Sequence, residues 1–378
     1  MKIVMVGPVY PFTSGLSYYV ALLYKQLSKS HDVTLLSYTM QYPRLMYKKP
    51  QRDYEDDTLK IDEARYVLNS ANPFSCVKTA GLINSLKPDL VIFQWLHPYF
   101  APCYTIITKK LKNTKILFMC HNVFPHERFP MDRALTKMTL KNGDYFTVHA
   151  NSDAEDLRSI LPDANLKVTV HPAYNFFKIK DMTRSEARGI LGITDDTNVL
   201  LFFGLVRPYK GLKHLLNALN IIRREDPENR RRLHLLVAGD FGGSRPEYDE
   251  MITSLGIGDM ITIDDKHLPI NEVEKYFAAC NMVVLPYEDA TQSGVIQVAY
   301  SFDRPVLATR VGGLPDVVIN GETGYLTEPQ RPDLIADAIK DFFDNDRASS
   351  YAAGIERERY KYSWEKMESV IMEFGADK

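Results

Sequence analysis

Arg207, Pro208, Tyr209, Lys210 and Gly211 stand between a strand-like run, Val199–Phe203, and the clearest helical pattern of the chain, Gly211–Glu225. In that pattern Leu212, Leu215, Leu216, Leu219 and Ile222 share one face at spacings of 3 and 4. A helix N-terminus presents unpaired N–H groups and the positive end of its dipole, so it favours an anion. Arg207 and Lys210 add two full positive charges at that spot. A solvated basic loop is the plain alternative, but the segment is not isolated. After a second strand-like run, Met282–Leu285, comes a loop of small and polar residues, and a helix is predicted from Ser293. Gly294 lets a ligand approach the backbone closely. Two helix N-termini and two cations at the carboxyl edge of one sheet suit a diphosphate without needing a metal.

Other candidates carry less. Glu288 and Asp289 are adjacent loop acids, which are solvated as readily as functional. His121 follows the strand-like run Lys115–Met119, where a lone histidine is often structural; His149 and His171 also sit at strand ends and are given no role. No metal site is predicted: there is no His-x-x-x-His or cysteine cluster, and Asp264-Asp265 is followed by Lys266 without companion ligands. Gly7 to Gly15 lacks the Gly-x-Gly-x-x-Gly spacing of a dinucleotide turn. A sequence pI near 6.5 and the lack of a basic, aromatic-interleaved motif argue against nucleic acid.

The elements that must position these residues alternate in type. Strands are expected at Lys2–Val6, Val33–Leu36, Leu90–Gln94, Lys115–Met119, Tyr145–Val148 and Lys167–Val170. In the second half they are expected at Val199–Phe203, His234–Ala238, Met260–Ile263, Met282–Leu285 and Pro305–Ala308. Most are apolar throughout, as strands buried on both faces should be, and helical patterns fall between them. The expected fold class is α/β, with two doubly wound Rossmann-like domains facing across a cleft. With 378 residues there is room for a core in each. The first domain is placed at 1–175 and the second at 183–358, with a hinge near Pro172–Thr183 and a C-terminal helix, 360–378, packing back on the first. Residues 38–65 read as an irregular surface excursion. No apolar run approaches the ~18 residues of a membrane span. The N-terminus reads as a strand rather than a signal peptide, and four scattered cysteines read as buried thiols. A cytoplasmic protein is therefore expected.

The motifs together resemble retaining family 4 glycosyltransferases (glycosyl transferases group 1, GT-B fold). The resemblance rests on Phe203-Gly-Leu-Val-Arg-Pro-Tyr-Lys-Gly211, Leu236-Val-Ala-Gly-Asp240, Pro305-Val-Leu-Ala-Thr-Arg-Val-Gly-Gly-Leu-Pro-Asp316 and Asn320-Gly-Glu-Thr-Gly-Tyr-Leu326. In the first half it rests on Gly7–Gly15, Cys120-His-Asn-Val-Phe-Pro-His-Glu127 and Val170-His-Pro172. It implies that His121 contacts the transferred sugar and that Arg207 and Lys210 stabilise the leaving diphosphate. His126 and Glu127 are weaker candidates. Gly15, in the first glycine-rich turn, would approach the donor phosphate or the acceptor, and Gln292, Ser293, Gly294 and Val295 would bind the donor. The family's two glutamates, eight positions apart, fall here on Ala290 and Val298, neither of which holds a charge. Glu288 and Gln297 are the nearby substitutes.

The expected function is transfer of a sugar from a nucleoside diphosphate sugar, UDP favoured, to a glycan or lipid-linked acceptor with retention, in polysaccharide or glycolipid synthesis. No cofactor is expected. The alternatives are a non-catalytic nucleotide-sugar-binding subunit, for which the missing glutamates speak, and a GT-B epimerase or phosphorylase. Residues 1–180 carry 23 Lys and Arg against 15 Asp and Glu, whereas residues 181–378 carry 23 against 33. Local basic clusters, Arg44, Lys48, Lys49 and Arg52; Lys109, Lys110, Lys112 and Lys115; Arg133, Lys137 and Lys141, extend that asymmetry. They lead us to expect peripheral docking of the first half on an anionic membrane, the inner face of the plasma membrane.

Overall fold

A computed structural model describes all residues except 13, 44–50, 55–56, 126–128, 230, 267, 291 and 377–378. In chain order the first elements are β1 (Lys2–Val6), α1 (Gly15–Leu27), β2 (Asp32–Met40), β3 (Arg65–Asn69), α2 (Pro73–Leu86), β4 (Leu90–Trp95), α3 (Ala101–Thr108), β5 (Lys115–Cys120), α4 (Asp132–Leu140), β6 (Tyr145–Val148), α5 (Asn151–Ile160) and β7 (Leu166–Val168). They continue with α6 (Arg184–Leu191), β8 (Asn198–Phe203), α7 (Leu212–Glu225), β9 (Leu233–Ala238), α8 (Arg245–Leu255), β10 (Ile261–Asp264), α9 (Ile270–Ala279), β11 (Met282–Leu285), α10 (Gly294–Ser301), β12 (Val306–Thr309), β13 (Gly324–Thr327), α11 (Pro332–Asp344), α12 (Ala348–Glu358) and α13 (Trp364–Ala376).

Two compact units result. The first holds Met1–Thr169 and Trp364–Lys378, the second Val170–Ser363. The first unit has a seven-stranded sheet in the order β3-β2-β1-β4-β5-β6-β7, and the second a six-stranded sheet in the order β10-β9-β8-β11-β12-β13. Pairing is parallel in both. Central strands such as β4 and β11 are buried at every position, which matches their unbroken apolar runs. The order of each sheet reverses once, between β1 and β4 and between β8 and β11. Ligands of open α/β sheets bind beyond the carboxyl ends of the strands at that reversal.

Several boundaries differ from the sequence expectation. Residues 38–40 continue β2, and the excursion ends in an unexpected strand, β3. That strand is largely solvent-facing and lacks an apolar run. Edge strand β13, Gly-Tyr-Leu-Thr, is too short to stand out. Pro172–Thr183 lies wholly inside the second unit: the Glu274 carboxylate accepts N–H bonds from Ile179 (3.1 Å), Lys180 (2.8 Å) and Met182 (2.8 Å). The C-terminal helix begins at Trp364, after a short 3-10 turn, rather than at 360. It packs on α1, where Gln26 donates to Glu368 (2.6 Å), and on β6, where Phe374 stacks on Tyr145 at 4.9 Å.

Candidate functional site

In the second unit both segments singled out above follow the strands of the reversal point, β8 and β11. Backbone geometry locks them together. Gly211 has φ +67°, and a Cβ there would lie 1.9 Å from the Pro286 carbonyl oxygen. Glu288 N–H donates to the Tyr209 carbonyl (2.6 Å), closing the same seam from the other side. Gly239 gives equal access on the far flank, where a Cβ would stand 1.9 Å from the Gly204 oxygen. Only glycine tolerates such approach.

Arg207 precedes the 3-10 turn Pro208–Lys210, and its Nη1 donates to the Val206 carbonyl (2.7 Å). The guanidinium lies against Gly242, where a Cβ would be 2.8 Å from Nη1. Lys210 Nζ sits 5.6 Å above the Tyr287 ring. Burial, with Arg207 nearby as the lesser cause, pushes its pKa down to about 8. Its charge is therefore held at a desolvation cost that an arriving anion would relieve. Tyr287 is fixed in turn, because its carbonyl accepts from Thr309 Oγ1 (2.6 Å) and its hydroxyl lies 3.4 Å from Ser293 Oγ.

Ser293 is the N-cap residue of α10 without a side-chain capping bond, and Gly294 opens the helix, where a Cβ would stand 3.3 Å from the Tyr174 ring. Val295 follows in the first turn. Gln297 is 1% exposed, and its Oε1 has no partner among the described residues; the buried Gln292 Nε2 has none either. Glu288 differs. Its carboxylate pairs with Lys213 (2.8 Å) and His214 (2.8 Å) on α7 and accepts from Gln330 (3.1 Å). Lys213, with His214 adding to it, holds its pKa low. Of the two substitutes for the absent glutamates, Gln297 retains an unmet acceptor while Glu288 is committed to α7. Ala290 and Val298 are buried.

Gly15 and His121 belong to the first unit. Gly15 opens α1, which Ser14 caps by accepting from Ser17 N–H (3.2 Å), and a Cβ on Gly15 would meet nothing within 4 Å among the described residues. His121 follows β5 directly. Its Nε2 donates to Gln94 Oε1 (2.7 Å) from the end of β4. Gly7 makes room for Gln94, since a Cβ there would fall 2.8 Å from Gln94 Cγ. Tyr19 of α1 meets the imidazole edge-on at 4.7 Å, and His149 lies 5.3 Å away. His126 and Glu127 lie outside the described residues. Sequence reasoning missed Tyr287, Gly242, Gln94 and Tyr19. Only Gly242, in the run Phe241-Gly-Gly-Ser, left a signal. Among the described residues no group of three or more His, Cys, Asp or Glu gathers as for a metal. Asp265 accepts from Phe241 N–H (3.1 Å), and Asp264 from Tyr276.

Residues 197–345, which carry all the second-unit features above except Tyr174, match the family described as "Glycosyl transferases group 1". This stretch belongs to that family. The chain is 30% identical over 230 residues to D-inositol 3-phosphate glycosyltransferase of Corynebacterium diphtheriae, covering 59% of this chain and 52% of the relative. It is 29% identical over 332 residues to the Corynebacterium glutamicum protein of the same name, covering 80% and 79%. The chain thus spans about half the length of several curated relatives it matches. Sucrose-phosphate synthase from Thermosynechococcus elongatus superposes with a TM-score of 0.73 at 18% identity over 100% of both chains. HepE from Anabaena, solved in complex with UDP, superposes with a TM-score of 0.75 at 16% identity over 100% of both. These likenesses are of fold, and the fold is that of GT-B glycosyltransferases. The group 1 match puts the Arg207–Lys210 turn and α10 in one family unit.

Proposed function

We propose that this protein is a hexosyltransferase that moves a sugar from a nucleoside diphosphate donor to an acceptor hydroxyl. The observation that carries the reading is the Arg207–Lys210 turn, glycine-locked to the loop before α10 at the reversal point of the second sheet, with one lysine kept partly desolvated. The diphosphate lies against Arg207, Lys210 and the N–H groups of Ser293–Val295, and Gln292 and Gln297 bind the rest of the donor. As the bond between the anomeric carbon and the phosphate oxygen breaks, negative charge grows on the leaving diphosphate. Preorganised cations and amides stabilise that charge more than the ground state. The acceptor oxygen bonds to the anomeric carbon with retention, and its proton leaves with the diphosphate. His121 contacts the transferred sugar, and Gly15 lies by the donor phosphate or the acceptor. UDP is the first base to test, since HepE was solved with UDP and a trehalose-6-phosphate protein of E. coli with UDP-2-fluoro glucose. Because side chains and amides supply the positive charge, turnover should persist in a chelator. The test is calorimetric titration of UDP and related nucleotides, followed by donor hydrolysis without acceptor. Slow hydrolysis supports the transferase, whereas binding without turnover supports the alternative suggested by Ala290 and Val298, a nucleotide-sugar-binding subunit. Failure to bind any nucleoside diphosphate overturns both.

A surface observation favours a lipid-linked acceptor at an anionic leaflet. On α2, Phe74 is 86% exposed and Val77 43% exposed, beside exposed Lys78 and Lys87. Asn84 of the same helix bonds the Lys110 carbonyl and the Lys112 N–H, so the exposed Lys109, Lys110 and Lys112 adjoin its end. Residues 64–88 and 90–126 contain no acid. An apolar and basic surface fits a membrane carrying anionic lipid. Of the expected clusters, Lys115 is engaged by Asp144 (3.0 Å) and Arg133 by the Ser159 carbonyl (2.7 Å), while Arg44, Lys48 and Lys49 lie outside the described residues. Co-sedimentation should need anionic lipid and weaken when Phe74 becomes Ser or Lys109, Lys110 and Lys112 become Glu. Indifference to anionic vesicles at low salt removes this part of the reading. Among the described residues no helix is long and apolar enough to cross a membrane.

A further inference from the structure

His121 is held by more than Gln94. Two ring neighbours flank it, and each leads in one step to a place where the chain passes between the two units. The first neighbour is His149, 2% exposed at the end of β6. Its Nδ1–H donates to the carbonyl of Thr169 (2.9 Å), the last residue of the first unit before the chain leaves it. Burial pushes the His149 pKa down to about 4, so the ring is neutral and that N–H is fixed as the donor. The second neighbour is Tyr19, which is fully buried and meets the Trp364 ring at 5.1 Å. Trp364 is the first residue of the first unit after the chain returns to it. Tyr19 also touches His149, at 5.5 Å, which closes the group.

The return passage is short. Tyr362 is anchored in the second unit: its hydroxyl donates to the Val317 carbonyl (3.0 Å), and its own carbonyl accepts from Ala173 N–H (2.7 Å). Trp364 is anchored in the first unit, so Ser363 alone separates the two anchors. The Ala173 bond also joins the outgoing passage, four residues beyond Thr169, to the returning one. A strap with a single residue between anchors transmits displacement instead of absorbing it, because consecutive Cα atoms are fixed about 3.8 Å apart. Close-packed rings switch between discrete arrangements and do not deform continuously.

We propose that Tyr19 and His149 are positioning residues that couple the two chain passages, through Trp364 and Thr169, to the orientation of the His121 imidazole. The proposal rests on the transferase reading only for its kinetic consequence, since the coupling itself can be read from His121 directly. Tyr19→Leu and Trp364→Leu remove the ring contacts. His149→Asn keeps an N–H for the Thr169 carbonyl but removes the ring beside His121, and His149→Phe does the reverse. Tyr19→Phe and Trp364→Phe keep the rings.

The direct measurement is the imidazole NMR resonances of His121, assigned by His121→Asn. They should move in Trp364→Leu and in both His149 variants and stay near wild type in the Phe variants of Tyr19 and Trp364. The chain has two tryptophans, so Trp364 emission in a Trp95→Phe background reports the strap itself. In kinetics, Trp364→Leu and Tyr19→Leu should lower kcat by about 10–100-fold, the scale of a misplaced group near 1 Å. The dissociation constant for UDP, a second-unit property, should not change, and Trp364→Phe should restore kcat. Unmoved His121 resonances in Trp364→Leu overturn the coupling, whatever the enzyme does. Moved resonances with wild-type kcat overturn its catalytic role and leave the coupling standing. Absence of UDP binding in the wild-type chain defeats the transferase reading and leaves the NMR outcome to decide the coupling alone.

Discussion

The Arg207–Lys210 turn of the second unit and the imidazole group of the first are built by different means. Around Arg207 and Lys210 the backbone does the positioning. Gly211 meets Pro286, Gly239 meets Gly204, and Glu288 N–H meets the Tyr209 carbonyl, so each cation stands on main chain that has nowhere else to go. Around His121 the side chains do it. Gln94, Tyr19 and His149 arrive from β4, α1 and β6, and each contact is ring to ring or a single hydrogen bond. A backbone-built site should tolerate changes in neighbouring side chains and fail at its glycines. A side-chain-built site should yield gradually. The likeness to solved structures at 18% identity or less speaks for the frame and leaves that contrast open.

The largest effects should come from the cations themselves. Arg207→Ala and Lys210→Ala are each expected to lower kcat by about 10²–10³-fold, or ~3–4 kcal/mol, the magnitude of removing one preorganised stabiliser of developing negative charge. Steady-state rates at saturating donor are the measurement. Because the turn is held by backbone, urea unfolding of both variants should stay near wild type. Unchanged kinetics in both would remove the diphosphate from this turn.

Next in size is the lock. Gly211→Ala puts a Cβ into a carbonyl oxygen 1.9 Å away at a φ of +67°. The loop must shift, at a cost of about 2–4 kcal/mol in stability, together with loss of UDP binding. Urea titration and calorimetry on one preparation read both. A variant that folds and binds like wild type would mean that the Arg207–Lys210 turn is no more backbone-built than the His121 group.

How much of this could be read beforehand follows the same line. Central strands announce themselves because both faces are buried and the run is apolar throughout, as in β4 and β11. Strand β3, largely solvent-facing, and the four-residue β13 carry no such run and were missed. The Arg207–Lys210 turn was legible because a strand, a glycine loop, two cations and a helix follow one another within thirteen residues of Val199. Tyr19, Gln94 and His149 are far apart in the chain, and no local pattern says that their side chains meet at His121. Glu288 illustrates the limit in the other direction. An acid in a loop that offers it for ligand binding is taken up by Lys213 and His214, which only the packing of α7 reveals.

A smaller effect separates the two regions by pH. Lys210 is half deprotonated at about pH 8 because it is buried beside Arg207. A bound diphosphate favours the charged form and raises that pKa, so donor binding takes up a proton between the free and bound values. UDP affinity should be nearly flat up to about pH 7, fall about twofold by about pH 8 and then fall by up to about tenfold per pH unit. Calorimetry in buffers of different ionisation enthalpy measures both the affinity and the proton uptake. Lys210→Arg should flatten the profile. A flat wild-type profile would mean that the ammonium does not face the diphosphate.

The smallest effect is at Gly15, and it tests the contrast from the opposite end. A Cβ there meets no atom of the described residues within 4 Å, φ is helical, and the residue opens α1 behind a working Ser14 cap. Nothing among the described residues of the first unit requires glycine there. Gly15→Ala should therefore change stability by no more than ~0.5 kcal/mol, with a slight gain because alanine restricts the unfolded chain. If the turn approaches the donor phosphate or the acceptor, the same methyl group should raise KM for one of them, since close backbone approach to a ligand is the remaining use for glycine at an open position. Thermal unfolding and separate KM measurements for donor and acceptor distinguish the cases. A stable variant with one raised KM assigns the turn to that substrate. A stable variant with wild-type constants for both removes Gly15 from the site.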